Sequence, residues 1–416
     1  MEKIVVEGGV RLKGEVCVSG AKNAALPVMA ASILSSGDNI ISNTPHLKDI
    51  TTMGNLLARF GIIFQAEDSR VFLRTDSINL VEAPYDLVKT MRASVLVLGP
   101  LLARMGEAKV SLPGGCAIGA RPINLHLTGL KSMGAEIVLS EGYIKAKAKR
   151  LKGASVYFDI PTVTGTENLM MAATLAEGLT VLENAACEPE IVDLAQALIS
   201  MGADIQGAGT NVIKIQGVNN LGPLNYSIIP DRIEAGTFLV AAGITQGEVK
   251  IKGCNPEHIE PIAVKLQQAG VEITHNKHDL TVKGPERPLP VDIKTMSYPG
   301  FPTDMQAQFM ALMSVSDGTS LISENIFENR FMHVAEMRRM GADIEVEGAT
   351  ATVKGVKSLK GAPVMATDLR ASASLVLAAL AAENTTVVDR VYHLDRGYEK
   401  LDDKLNKLGA RIRRMK

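Results

Sequence analysis

The chain has 416 residues, well beyond an ordinary domain of roughly 150, so its length points to two domains or one large repeat assembly. Hydrophobic residues make up 46% and charged residues 21%, a globular composition that excludes a disordered chain. The 44 Lys and Arg offset 45 Asp and Glu to a net charge of -1, so no global field invites nucleic acid or an anionic membrane, and an anionic ligand must find cations gathered locally.

The N-terminal stretch MEKIVVEGGVRLKGEV places Glu2 and Lys3 ahead of any apolar run and reads as a strand, not a signal peptide. The longest apolar runs, near residues 93–103 and 371–382, are shorter than the ~20 residues that span a bilayer, so a cytoplasmic protein without membrane insertion is expected. Cys17, Cys116, Cys187 and Cys254 are far apart and lack CxxC spacing, which reads as reduced thiols. The histidines are scattered with no HExxH, so neither a metal nor a cofactor is expected.

A repeating order of elements follows. The stretch KNAALPVMAASIL, from Lys22, is apolar on nearly every helical face and predicts a buried helix. A short strand comes next, then an amphipathic helix ending at Gly61 in RFGIIF, then paired strands. The order recurs with MRASVLVLGPLLA before Gly134, GTENLMMAATLA before Gly202, DRIEAGTFLVAAGI before Gly270, TDMQAQFMALMSV before Gly341 and DLRASASLVLAAL before Gly409. Successive glycines are 73, 68, 68, 71 and 68 residues apart, each at the position of a left-handed helix cap. Six βαβαββ units of about 70 residues are too few and too long for a solenoid, and two domains of three units each fit better.

The first turns of the predicted buried helices carry Lys22 and Asn23, Arg92, Gly165 to Glu167, Asp231 and Arg232, Asp304, and Arg370. Helix N-termini present free N–H groups and the positive end of a dipole, which suits anions. Charges placed there repeatedly read as the lining of a site.

The stretches GAKNAALP, PGGCAIGARPINLH, PDRIEAGTF, FPTDMQAQF, IFENRFMHV, DLRASASLV and DRGYEKLDDKL together resemble the enolpyruvyl transferases, and among them those that act on UDP-N-acetylglucosamine in peptidoglycan synthesis. The resemblance runs from end to end. It implies an α/β fold, a two-domain inside-out α/β barrel of six βαβαββ repeats, with one domain from residues 1–21 plus 230–416 and the other from 22–229. It also implies transfer of the enolpyruvyl group of phosphoenolpyruvate to the 3′-hydroxyl of UDP-N-acetylglucosamine. The shikimate-pathway enolpyruvyl transferase shares the fold and phosphoenolpyruvate, and the loop PGGCAIGARP is the feature that favours the UDP-sugar enzymes over it. A non-catalytic repeat scaffold accounts for the six units, but not for cations at buried helix starts or a cysteine in a glycine loop.

A lone Cys116 reads as a small buried hydrophobe, but a Gly-rich loop five residues before Arg121 favours a reactive thiolate. The resemblance implies that Cys116 delivers protons to phosphoenolpyruvate and is the residue alkylated by fosfomycin. It assigns phosphoenolpyruvate contacts to Lys22, Asn23, Arg92, Arg121, Arg370 and Arg396, where planar guanidinium groups suit carboxylate and phosphate alike. Asp304 on its own reads as an N-cap; the resemblance places it near the attacked hydroxyl, as a catalytic candidate together with Cys116, Lys22 and Arg396. UDP-N-acetylglucosamine contacts fall to Asn23, Arg92, Arg121, Pro122, Ile123, Asn124, Leu125, Val163, Thr164, Gly165, Asp304 and Ile326. Asn124 departs from one common family form, which has Asp there; Asn keeps an acceptor and adds a donor. C–O bonds form and break in this chemistry, so it calls for no phosphoryl-transfer metal.

Overall fold

The computed structural model describes residues 2–112 and 123–415. The small, all-round apolar stretches become the inner helices. Lys22–Ala31 buries every residue but Asn23, Gln306–Met313 buries all eight, and Arg232–Ile244 buries all but Arg232. Val163–Ala173 and Leu369–Ala381 are exposed only at their ends. Two inner stretches are not uniform helices. Arg92–Val97 is a 3-10 turn that passes into the helix Leu98–Met105, with Pro100 in its first turn where no N–H is needed. Thr303–Met305 likewise forms a 3-10 turn ahead of Gln306–Met313.

The outer helices are amphipathic and end as their glycines predict. Gly61, Gly134, Gly202, Gly270, Gly341 and Gly409 all have φ between 86° and 105°, the left-handed region in which a Cβ is strained. Each is followed by the first strand of a hairpin, as in Asp343–Glu347 paired with Thr350–Lys354.

Among the described residues the strands form six four-stranded sheets of one pattern. In one, Asn225–Ser227 runs parallel to Asp38–Ser42, which pairs antiparallel with Arg70–Arg74, which in turn pairs antiparallel with Ile63–Glu67. The sixth sheet is closed by the beginning of the chain, where Lys3–Glu7 pairs antiparallel with both Thr385–Asp389 and Arg411–Met415. The second N-terminal strand, Lys13–Cys17, lies parallel to Glu248–Lys252.

The described residues divide into two compact units, one holding the chain up to Ser19 and from Pro230 onward, the other Gly20 to Ile229. Each has its own aliphatic core, around Phe238 and Phe309 in the first and Phe60 and Phe158 in the second. Among the described residues no helix is long and apolar enough to cross a membrane.

Inner helices approach so closely that one position admits no side chain. A Cβ on Gly99 would lie 2.4 Å from both the backbone and the side-chain oxygen of Asn168 on the facing helix. Gly99→Ala should therefore destabilise the unit by about 1–3 kcal/mol, read as a lower urea midpoint.

Candidate functional site

Within the first unit, Asp304 lies inside the 3-10 turn Thr303–Met305, whose N-cap is Pro302, in contrast to its local sequence reading; Asp231 and Asp368 are the N-caps that accept N–H bonds at the starts of their helices. Asp304 is held by two guanidinium groups. Arg330 Nη2 donates to its Oδ1 at 2.8 Å and Arg370 Nε to its Oδ2 at 3.1 Å. Arg370 begins an inner helix, is 2% exposed, and stacks over the Tyr398 ring. Its Nη1 is buried with no hydrogen-bond partner among the described residues. Burial opposes its charge, but Asp304, and then Tyr398 and Asp231, outweigh that and raise its pKa. The Tyr398 hydroxyl is itself fixed by Thr237 and by Gln308 Nε2, each at 3.0 Å.

A second layer holds this cluster. Arg330 Nη1 donates to Thr303 Oγ1, which donates to Glu324 Oε2, both at 2.8 Å. The other oxygen of Glu324 accepts from the backbone N–H groups of Ile326 and Phe327 at 2.9 and 3.1 Å. The exposed side chain of Ile326 is thus presented on a backbone tied to the same network. Arg396 ends the turn Val391–Arg396, two residues before Tyr398, and is half-buried. Sequence reasoning did not single out Arg330, Glu324 or Tyr398. Arg330 sits within the quoted motif IFENRFMHV, directly after Glu328 and Asn329, and its place in that motif was the available signal.

In the second unit, Lys22 opens its inner helix and is buried, with Nζ 3.1 Å from Asp49 Oδ2, while neighbouring Asn23 is exposed. Arg92 opens the turn Arg92–Val97, and Asn124 opens the outer helix Asn124–Ser132 with Leu125 half-buried behind it. Ile123 is half-buried just ahead of that helix. Val163, Thr164 and Gly165 form the first turn of Val163–Ala173, where the Gly165 N–H donates to Thr162 Oγ1. Deeper in that turn lies Glu167, 2% exposed, with Oε1 lacking a partner among the described residues. Cys116, Arg121 and Pro122 lie outside the described residues.

Of the other thiols, Cys17 is exposed at the end of its strand. Burial, aided by Glu188, raises the pKa of Cys187, and burial with Asp279 pushes Cys254 up to about 11.

The six-sheet arrangement is that of a solved enolpyruvyl transferase, NikO from Streptomyces tendae. The two agree with a TM-score of 0.90 at 27% identity, over 100% of this chain and 99% of that one. The EPSP synthase (3-phosphoshikimate 1-carboxyvinyltransferase) family model matches residues 6–405. Among sequence relatives, the UDP-N-acetylglucosamine 1-carboxyvinyltransferase of Thermodesulfovibrio yellowstonii is 64% identical over 100% of both chains. The protein of the same name from Geobacter metallireducens is 63% identical, again over the full length of both. The chain belongs to the EPSP synthase family, on the branch of the UDP-N-acetylglucosamine 1-carboxyvinyltransferases.

Glu167 yields a test of the site's electrostatics. Burial first, and then Glu190 and Glu188, raise its pKa well above 4.5. The folded unit therefore keeps its proton at pH values where the unfolded chain has already lost it. The folded state binds more protons, so stability must fall as pH rises above about 4.5, until the folded carboxyl ionises. Glu167→Gln should flatten that part of the pH–stability curve and raise stability at neutral pH, measured by urea unfolding across pH.

Proposed function

We propose that this protein transfers the enolpyruvyl group of phosphoenolpyruvate to the 3′-hydroxyl of UDP-N-acetylglucosamine and releases phosphate, a cytoplasmic step of peptidoglycan synthesis. The observation that carries this reading is Arg370. Its buried Nη1 has no hydrogen-bond partner among the described residues. A buried donor left without an acceptor is costly, and an anionic oxygen of a ligand removes that cost.

In the reaction, the sugar 3′-hydroxyl gives up its proton as its oxygen bonds to C2 of phosphoenolpyruvate, while C3 gains a proton from Cys116, giving a tetrahedral intermediate. C3 then loses a proton, the bond from C2 to the phosphate oxygen breaks, and inorganic phosphate leaves with its electron pair. Cys116 is the proton donor in this proposal. Lys22, Arg92, Arg121, Arg370 and Arg396 meet the carboxylate and phosphate, with Asn23 bonding both substrates. Pro122 to Leu125, Val163 to Gly165 and Ile326 take the nucleotide sugar. Asp304 aligns the attacking hydroxyl. Both its oxygens already accept from guanidinium groups, so it suits positioning better than proton removal, for which it must first release an arginine.

Phosphate release from phosphoenolpyruvate should depend on UDP-N-acetylglucosamine, and shikimate 3-phosphate should not replace it. The reverse preference overturns the reading. Arg396→Ala should lose about 2–4 kcal/mol in kcat/KM for phosphoenolpyruvate. Asp304→Asn keeps the size and an acceptor while removing the charge, so it should lower kcat more than it raises either KM. Peptide mapping after fosfomycin treatment should find the label on Cys116, and Cys116→Ser should abolish it along with most turnover.

A further inference from the structure

Three first turns of the second unit, at Arg92, Asn124 and Val163, are joined by one buried polar chain whose direction the geometry fixes. It starts at a donor that cannot be reversed, the Gly99 backbone N–H, which lies 2.7 Å from Asn168 Oδ1. The other atom of the Asn168 amide lies 3.3 Å from the Val95 carbonyl oxygen, which only accepts. Both ends therefore agree that Nδ2 is the nitrogen. That same Nδ2 lies 2.9 Å from His126 Nδ1. A donor facing Nδ1 requires Nδ1 to be unprotonated, so the neutral ring carries its proton on Nε2. Nε2 in turn lies 3.3 Å from Thr164 Oγ1. His126 is 2% exposed, and burial together with the charge of Arg92 holds its pKa down to about 4, so the neutral ring persists at neutral pH.

We propose that the Asn168–His126 relay is a positioning device that orients the half-buried Thr164 hydroxyl, its proton turned away from His126 to an acceptor oxygen of the uridine moiety of the nucleotide sugar. A free threonine hydroxyl rotates and serves as donor or acceptor. Once its oxygen accepts from Nε2–H, its own proton points away from His126. Thr164 then offers its proton to ligands that present an oxygen acceptor there. This inference rests on the proposed use of UDP-N-acetylglucosamine, and the relay's direction rests on the protein alone.

The direction is read first, by long-range proton–nitrogen NMR of the full-length protein without ligand. His126 should be the Nε2–H tautomer at neutral pH; an Nδ1–H tautomer or an imidazolium overturns the proposal. UDP-N-acetylglucosamine binding is then measured by calorimetry alongside kinetics. Thr164→Val should weaken UDP-N-acetylglucosamine binding roughly five- to tenfold, the worth of one net hydrogen bond. Thr164→Ser should bind as the parent does. Unchanged affinity in Thr164→Val overturns the proposal. His126→Leu should match Thr164→Val and add nothing in the Thr164→Val background, whereas His126→Gln, which keeps an N–H donor, should recover part of the loss. Independent, multiplying losses overturn the relay. Should His126→Leu fail to fold, the tautomer and the Thr164 pair still decide. If the parent binds the nucleotide sugar but releases no phosphate, the proposed reaction fails and the relay is still tested. If it turns over and Thr164→Val binds normally, the relay alone fails.

Discussion

A helix that is apolar on every side has to be surrounded, and the rest of this structure follows from that constraint. Three such helices in each unit occupy the position that a sheet takes in an ordinary α/β domain, so the sheets are displaced outward, with one face turned to solvent as the alternating burial of Val212–Gln216 or Asp279–Lys283 shows. Along an enclosed helix such as Gln306–Met313 or Leu369–Ala381 there is almost nowhere for a charge to reach water. The first turn is the exception, because its N–H groups lack intrahelical acceptors and polar side chains are tolerated beside them. Lys22, Arg92, Asp304 and Arg370 all occur at or beside such starts. Placement of the chemistry is thus a by-product of packing.

Buried polar groups in both units are arranged in chains that begin at an unambiguous backbone group or an ion pair. Glu324 is fixed by two backbone N–H groups and passes that order through Thr303 and Arg330 to Asp304. Asn168 is fixed by Gly99 and Val95 and passes its orientation to His126. Such chains are rigid because each member has its partners already allotted, and changing one member leaves others unpaired in a low-dielectric interior. Glu234 shows the cost side: burial raises its pKa to about 7 even though Lys404 beside it works the other way.

The six-fold order of elements was legible because it rests on periodic features: glycine caps at near-regular spacing, all-round apolar helices, and alternating strands. The left-handed φ at Gly202 or Gly341 is the physical counterpart of the spacing read from the chain. Asp304 and Arg370 were singled out by type and position, and the resemblance of their motifs supplied the roles proposed for them. What escaped were the supports. Arg330 and Glu324 lie in a connection without period, and His126 sits on an outer helix where a lone histidine looks like any half-buried residue. The 3-10 starts at Arg92 and Thr303 escaped too, since a tightened first turn leaves the apolar pattern unchanged.

The strand Lys3–Glu7 lies between Thr385–Asp389 and Arg411–Met415, and the segment behind it is held where the Ser19 N–H donates to Glu234. On the ribosome these partners are separated by nearly the whole of translation, on the order of tens of seconds. The stretch from Gly20 to Ile229 has its own core and emerges in one piece, so it is free to fold while synthesis continues. Meanwhile the first strand waits with both edges unpaired and Ile4, Val5 and Val6 uncovered, a template open to wrong partners. The brevity of that strand and the charges of Glu2, Lys3 and Glu7 around it limit the hazard until the last strand arrives to close the sheet.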